Sequence, residues 1–363
     1  MRAFLQSISL VLVATLAATA PALAGSLEPP GPPGPTMKTL AELEPRTAVQ
    51  SLPGSGSARH VITEPGSYYL AGDLSAGPGM NGIEILSDNV VLDLHGFAVL
   101  GNHEGANGVL VPAPQVNVVI RDGTFSGWRQ HAVGAIDCSG CQAHRLVVAD
   151  CGSDGLFSSI FLGEDALVTH CEVRFNGAWT GIQVRSGSRV EGCVSANNYT
   201  GYELSGEANA IVGSVAQFSA DAGIYIQSTG LVEGCVARFG FVGIKTGHAT
   251  RVVGNEVTDH QFGILVQDNN NMLRGNFAAW NAQAGIQLAP GVSGTTVIGN
   301  TVNDNWIGIG AQDTVRNLVA GNTATHNPGG AFDIGPGNAT GEILDFTLGG
   351  TITSGNAWAN IQH

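Results

Sequence analysis

The chain is poor in charge and almost devoid of lysine. Only 12% of its 363 residues are Asp, Glu, Lys or Arg, and Lys38 and Lys245 are its only lysines. Fifteen basic residues stand against 29 acidic ones, a net charge of −14. Nucleic acid and anionic membrane both call for a basic footprint, so this balance argues against either as a partner. Past the N-terminal segment no run reaches the ~18 unbroken apolar residues of a spanning helix, so no membrane span is expected. The leucine-and-asparagine spacing of leucine-rich repeats is absent as well.

Glycine is what the chain has instead, 52 residues of it. The N-terminal segment reads as punctuation before the fold. Met1 and Arg2 give a short basic start, Leu5 to Ala20 is apolar, and Ala22-Leu23-Ala24 is a small-x-small cleavage site. We expect a signal peptide over 1–24, cut near Ala24, and a secreted or periplasmic product. The stretch "GSLEPPGPPGP" (25–35) reads as a stiff spacer, with too few Gly-Pro-Pro triplets for collagen. In "TMKTLAELEPRT" (36–47) Thr39 stands three residues before Glu42, a capping box. A short helix halted by Pro45 is expected there, opening an N-terminal cap over 36–75.

The rest of the chain repeats. "GIQVRSGSRVEGCV" (181–194) returns 42 residues later as "GIYIQSTGLVEGCV" (223–236). One marker is a glycine before a β-branched or aromatic residue: Gly181, Gly201, Gly223, Gly243, Gly263, Gly285 and Gly308. A second runs Cys151, Cys171, Cys193, Ser214, Cys235, Asn255, Asn276, Asn300 and Asn322. Both advance by about 20–24 residues, a solenoid period. The runs between them are short, β-rich and glycine-punctuated. Stacked units of this kind form a parallel β-helix, expected over 76–345 with a C-terminal cap over 346–363.

On this reading the second marker is an inward ladder, Asn amides bonding coil to coil and cysteines filling the same slot. Secretion also permits a disulfide framework. Residues in one slot of successive coils point the same way, however, which argues against bridging among these four cysteines. Cys138 and Cys141 in "CSGC" differ. They could close a small disulfide, and the second ligand pair of a zinc site is not evident.

The recurring "GI-x-V" and "V-x-GN-x-V" phrases, over roughly 80–335, resemble the right-handed parallel β-helix, or pectate-lyase-like, superfamily. The resemblance implies an all-β, right-handed, single-stranded parallel β-helix of about a dozen coils. Its members include polysaccharide lyases, glycoside hydrolases, uronate epimerases and chains with no assigned reaction. One hydrolase subgroup uses Asn-Thr-Asp, Asp-Asp, Gly-His-Gly and Arg-Ile-Lys in order. Here "GIK" (243–245) precedes "GHA" (247–249) and no Asp-Asp pair occurs. The epimerases' Asp-Pro-His-Asp is missing too.

If the residue two after each glycine marker points outward, one face carries Gln183, Glu203, Tyr225, Lys245, Leu265 and Gln287. Arg185 and Gln227 lie two residues further on, while Trp179, Tyr199, Asp221, Phe241 and His260 lie at the edge before the markers. Aromatic rings beside charged and amide groups suit a sugar, so Trp179, Tyr199, Gln183, Glu203, Gln227, Phe241 and His260 are the candidate substrate contacts. Residues 174–251 hold six basic and five acidic side chains, the stretch least repellent to a uronate polymer.

For β-elimination, Tyr225 or Lys245 is the candidate base and Arg185 the partner of the substrate carboxylate. Either base needs a lowered pKa; Lys245 would lower that of Tyr225 and Glu203 would raise it. Glu203, Glu207 and Asp221 are candidate ligands for Ca²⁺. The plainer alternative is ordinary β-helix surface, with Arg185 paired to Glu203 and His248 and His260 solvated. Glu191 and Glu233, two coils apart, are the carboxylates a hydrolase would use. The expected function is cleavage of an acidic polysaccharide by a monomeric lyase. A non-catalytic glycan-binding or surface-structural protein is the alternative, and a glycoside hydrolase the second.

Overall fold

The computed structural model describes residues 46–155, 157–176, 179–351 and 354–363. The expected signal peptide, spacer and helix all lie outside them. The first described element, strand Arg46–Ala48, follows the Pro45 at which that helix was expected to stop. The 3-10 turn Val49–Ser51 is the sole helical element among the described residues. No helix there is long and apolar enough to cross a membrane.

Every strand pair is parallel, and each coil pairs in register with the next. One position shows the whole stack: Val61, Glu84, Leu110, Gly134, Phe161, Gln183, Glu203, Tyr225, Lys245, Leu265, Gln287, Gly310 and Asp333 are successive partners, one per coil. Pairing therefore begins upstream of residue 76. The coil over 222–241 shows the common plan. Face A is 222–227, turn 1 is the bend at 228–230, face B is 231–233, turn 2 is 234–235, face C is 236–238 and turn 3 is the bend at 239–241. In this coil strands Val215–Glu233 and Val236–Val253 run unbroken through turns 1 and 3.

The core is a set of aligned apolar columns. On face A, Ile182, Tyr202, Ile224, Ile244, Ile264, Ile286 and Ile309 lie over one another, each at most 1% exposed. Val190, Ile211, Val232, Val252, Leu273 and Val297 do the same on face B. Burying such a side chain is worth about 1.5–3 kcal/mol, which is why coils with no large core of their own hold together as a stack.

The repeated glycine of face A has a steric cause. A Cβ on Gly243 would sit 2.1 Å from Val257 Cγ1 and 2.7 Å from the Gly263 carbonyl oxygen. Gly223 and Gly263 meet the carbonyl of the next coil's glycine in the same way. Successive backbones approach too closely here for any side chain.

Each of the three turns carries its own buried polar ladder. In turn 2, Asn255, Asn276 and Asn300 each send a backbone N–H and a side-chain amide to the Oδ1 of the next Asn, ending on Asn322. Asn322 bonds Asn360 in turn, so the C-terminal segment supplies the final rung. Turn 3 has a second ladder, with Asn281 to Asn305 at 2.8 Å and Asn305 to Asn327 at 3.1 Å. Turn 1 has a third, through Thr250, Asn271, Thr295 and Asn317.

Cys171, Cys193 and Cys235 are free, buried thiols in the turn 2 slot, as expected. Cys151 is not in that slot. Its neighbours pair Ala149 with Arg174, and its N–H donates to Asn176 Oδ1 at 2.9 Å, so it belongs to the turn 3 ladder. Burial pushes the Cys151 thiol up to about 12 and that of Cys235 to about 11, which leaves both unreactive. Cys138 and Cys141 form a disulfide.

Candidate functional site

Turn 3 begins with a residue in the left-handed region, followed by the inward ladder residue. The left-handed column runs Asp150, Phe175, Asn197, Phe218, Phe239, Asp259, Trp280, Asp304 and His326, with φ between 52° and 63°. These side chains project from the corner. Phe175 is 61% exposed, Phe218 51%, Phe239 43% and Trp280 57%. Phe218 and Phe239 stack with centroids 4.8 Å apart.

Immediately before face A runs a second outward column: Trp179, Tyr199, Asp221, Phe241, Gln261, Gln283 and Trp306. Trp179 and Tyr199 stack at 6.0 Å with planes 14° apart, and Phe241 meets Phe262 edge-on at 6.1 Å. Trp306 walls a cavity of about 350 Å³ with Phe262, Gln283, Ala284, Gln287 and Ile307. The corner thus offers eight exposed rings in two columns across seven coils, about 30 Å at one strand spacing per coil, with polar residues at the other positions.

Face A lies beside them. Glu203 accepts from Thr180 Oγ1 at 3.2 Å and from Gln227 Nε2 at 3.0 Å. Gln183 accepts from Ser158 Oγ at 2.6 Å. Lys245 Nζ stands 4.8 Å from the Tyr225 ring centroid and 3.8 Å from Asp221 Oδ2. The structure therefore brings Tyr225, Lys245, Glu203, Gln227 and Asp221 together.

It separates the others. Arg185 does not pair with Glu203. Its Nη1 bonds Asp137 at 3.2 Å, and its guanidinium carbon lies 5.5 Å from the centre of the Phe161 ring. His260 is not a groove residue, being 4% exposed in the turn 3 ladder, where its N–H donates to Asn281 Oδ1. Burial lowers its pKa to about 4, and its Nδ1 has no hydrogen-bond partner among the described residues. His248 sits beside Asp268 at 3.9 Å.

The three carboxylates named as candidate calcium ligands lie in different surroundings. Glu203 is engaged by Thr180 and Gln227, Asp221 faces Lys245, and Glu207 lies exposed in turn 1. Among the described residues no three His, Cys, Asp or Glu side chains gather as metal ligands do. Tyr225 is also harder to deprotonate than a base working near neutral pH requires. Burial first, then the Glu203 and Asp221 carboxylates, push its phenol above the usual value of 10. Glu191 and Glu233 do share one column through Val212, two coils apart, and Glu191 is bonded by Arg189 at 2.9 Å.

Sequence reasoning missed Phe175, Phe218, Phe239, Trp280 and Trp306. A signal for the first four exists in the phrases "RFN" (174–176), "QFS" (217–219), "RFG" (238–240) and "AWN" (279–281). Each is a left-handed residue followed by the slot of the second ladder, a third marker at the same period.

Solved structures share this architecture. Pectate lyase Pel9A superposes with a TM-score of 0.50 at 16% identity, covering 63% of this chain and 71% of that one. The A-module of mannuronan C-5 epimerase AlgE6 from Azotobacter vinelandii gives 0.55 at 14% identity, covering 87% and 97%. Tailspike protein 3 of bacteriophage CBA120 gives 0.52 at 11% identity, covering 87% and 65%. At these identities the likeness is one of fold. No curated protein matches the chain. The profile described as "right handed beta helix region" matches residues 107–257 and 239–348, well over half the sequence, and the chain belongs to that family.

Proposed function

We propose that this protein recognises a polysaccharide laid along turn 3 and the adjoining edge of face A. The observation that carries this reading is the set of eight exposed aromatic rings in two columns at one corner, present in six of seven successive coils. Isolated apolar residues on a surface need no explanation, but a contiguous patch of rings marks an interaction site. A polymer of rings with apolar faces and hydroxyl rims matches it. The rings stack while Gln183, Glu203, Gln227, Gln283 and Gln287 exchange hydrogen bonds with hydroxyls. Replacing Trp179 and Tyr199 together by alanine is expected to weaken glycan binding at least tenfold in titration calorimetry. Retention of wild-type affinity for every bound glycan would remove the site.

A second reading, β-elimination from a uronate chain, is favoured by the Lys245–Tyr225–Asp221 cluster. Tyr225 holds its proton more firmly than a free phenol, which leaves little phenolate to act as base near neutral pH. Arg185 would have to exchange Asp137 for a substrate carboxylate. Unsaturated uronate released from pectate or alginate would appear as ultraviolet absorbance, and Lys245→Ala should abolish it. Absence of signal on a broad panel of uronates, with binding retained, leaves recognition alone.

A further inference from the structure

The left-handed residues of turn 3 need an explanation that the backbone does not provide. Positive φ is cheap for Gly and tolerable for Asn, Asp and His, but is an outlier for a bulky side chain. At Asp150, Asn197, Asp259, Asp304 and His326 the column uses tolerant types. At Phe175, Phe218, Phe239 and Trp280 it uses the least suited, and leaves them 43–61% exposed. Neither conformational ease nor burial accounts for these four. Strain retained where nothing is buried is a mark of function.

Charge around the tracks narrows the ligand. Neither outward column of turn 3 contains Lys or Arg, whereas Asp150, Asp221, Asp259 and Asp304 are interspersed with the rings. The arginines of the adjoining face C are already matched, Arg174 to Glu172 at 2.5 Å and Arg238 to Glu256 at 2.6 Å. Lys245, at the inner edge, faces Asp221. A polyuronate lying here would bring its carboxylates beside aspartates, with no unmatched Lys or Arg in these columns among the described residues to meet them. Uncharged sugars instead offer hydroxyl donors to those aspartates and apolar ring faces to the aromatics.

We propose that the strained aromatics Phe175, Phe218, Phe239 and Trp280 form a binding track for a neutral polysaccharide running parallel to the β-helix axis. The proposal rests on the recognition reading above and adds the ligand's charge class. A neutral glycan has no carboxylate to acidify a ring proton, so this occupant is not a substrate for β-elimination. Rings with aspartates set among them match a polymer that presents both apolar faces and hydroxyls.

The test compares hydroxyethyl cellulose, a galactomannan and a soluble α-glucan with polygalacturonate and alginate, by affinity electrophoresis and tryptophan fluorescence. The wild-type protein is expected to bind at least one neutral polymer tenfold or more tighter than either polyuronate. Phe175→Asn, Phe218→Asn with Phe239→Asn, and Trp280→Asn should each reduce that binding at least tenfold. Asn suits the left-handed region, so the urea midpoint of Phe175→Asn should hold or rise while its binding falls. A midpoint that drops as far as binding does would make the ring structural and overturn the proposal. Preference for a polyuronate would overturn neutral selection yet leave polysaccharide recognition standing. Binding to no glycan at all would overturn both. A wild-type dimer in sedimentation that dissociates in the Phe218/Phe239 variant would assign the rings to self-association and also sink the proposal.

Discussion

Turns 2 and 3 pose one backbone problem and answer it differently. Each needs a left-handed residue followed by an inward ladder residue. Turn 2 uses Arg145 and His170 in the first two of nine coils and glycine in the next seven: Gly192, Gly213, Gly234, Gly254, Gly275, Gly299 and Gly321, all with φ of 56–64°. A Cβ on Gly254 or Gly275 would meet nothing within 4 Å, so the dihedral alone selects glycine there. Turn 3 has the same dihedral and no glycine in that position from Asp150 to His326, with Phe, Trp, Asp, Asn and His in its place. In seven of its nine coils turn 2 takes the residue for which the bend is cheapest. Where side chains face outward in rows, strain is accepted to keep them.

The two ladders behind these turns are expected to be equivalent, and that equality is the strongest test of the comparison. Asn276 in turn 2 accepts from the N–H and amide of Asn255, and donates to Val252 O and Asn300 Oδ1. Asn305 in turn 3 accepts from the N–H and amide of Asn281, and donates to Ala278 O and Asn327 Oδ1. Asn276→Ala and Asn305→Ala each strand several buried groups, at ~1–3 kcal/mol per group. Both should cost about 4 kcal/mol in urea unfolding. A negligible loss for Asn305→Ala would show that turn 3 is not a structural match for turn 2.

Acid should then separate the turns, because turn 3 alone has a histidine in its ladder. His260 is neutral in the fold, its pKa lowered from 6.5 to about 4 by burial. Between those values the unfolded chain binds a proton that the folded chain refuses. Stability is therefore complete above about pH 6.5 and falls as pH drops toward 4, by about 3 kcal/mol from this group. His260→Asn, which keeps a ladder amide in the slot, should flatten that slope in urea midpoints measured from pH 7 to 4. An unchanged slope would mean that His260 is not the group responsible.

The smallest effect comes from exchanging the answers. Gly275→Phe places a ring in turn 2 at φ 64° with open space around it. It should cost only the left-handed strain, ~1–2 kcal/mol, and leave glycan binding unaltered. A much larger loss would mean that the two turns differ in packing as well as in use.

The stack, its inner columns and the turn 2 ladder were legible because stacking makes residues recur. Gln183, Glu203, Tyr225, Lys245, Leu265 and Gln287 were placed correctly in one outward column from the glycine markers alone. Cys151 was misplaced because turns 2 and 3 are about as far apart along the chain as coil lengths vary. Asn255 and His260, one in each ladder, are five residues apart, so a spacing of 20 fits either slot. The same near-coincidence hid the second ladder, and with it His260 as a core residue and the four left-handed aromatics as surface.

The sequence by itself determined that the chain coils at a fixed period and which apolar and amide side chains lie over one another. A repeating backbone geometry must write itself into a repeating choice of residues. The tertiary structure alone decided the φ values of turn 3, the exposure of its rings and pairings such as Arg185 with Asp137, which lie 48 residues apart. Such pairings depend on how far each turn offsets one coil from the next, and period does not encode that offset.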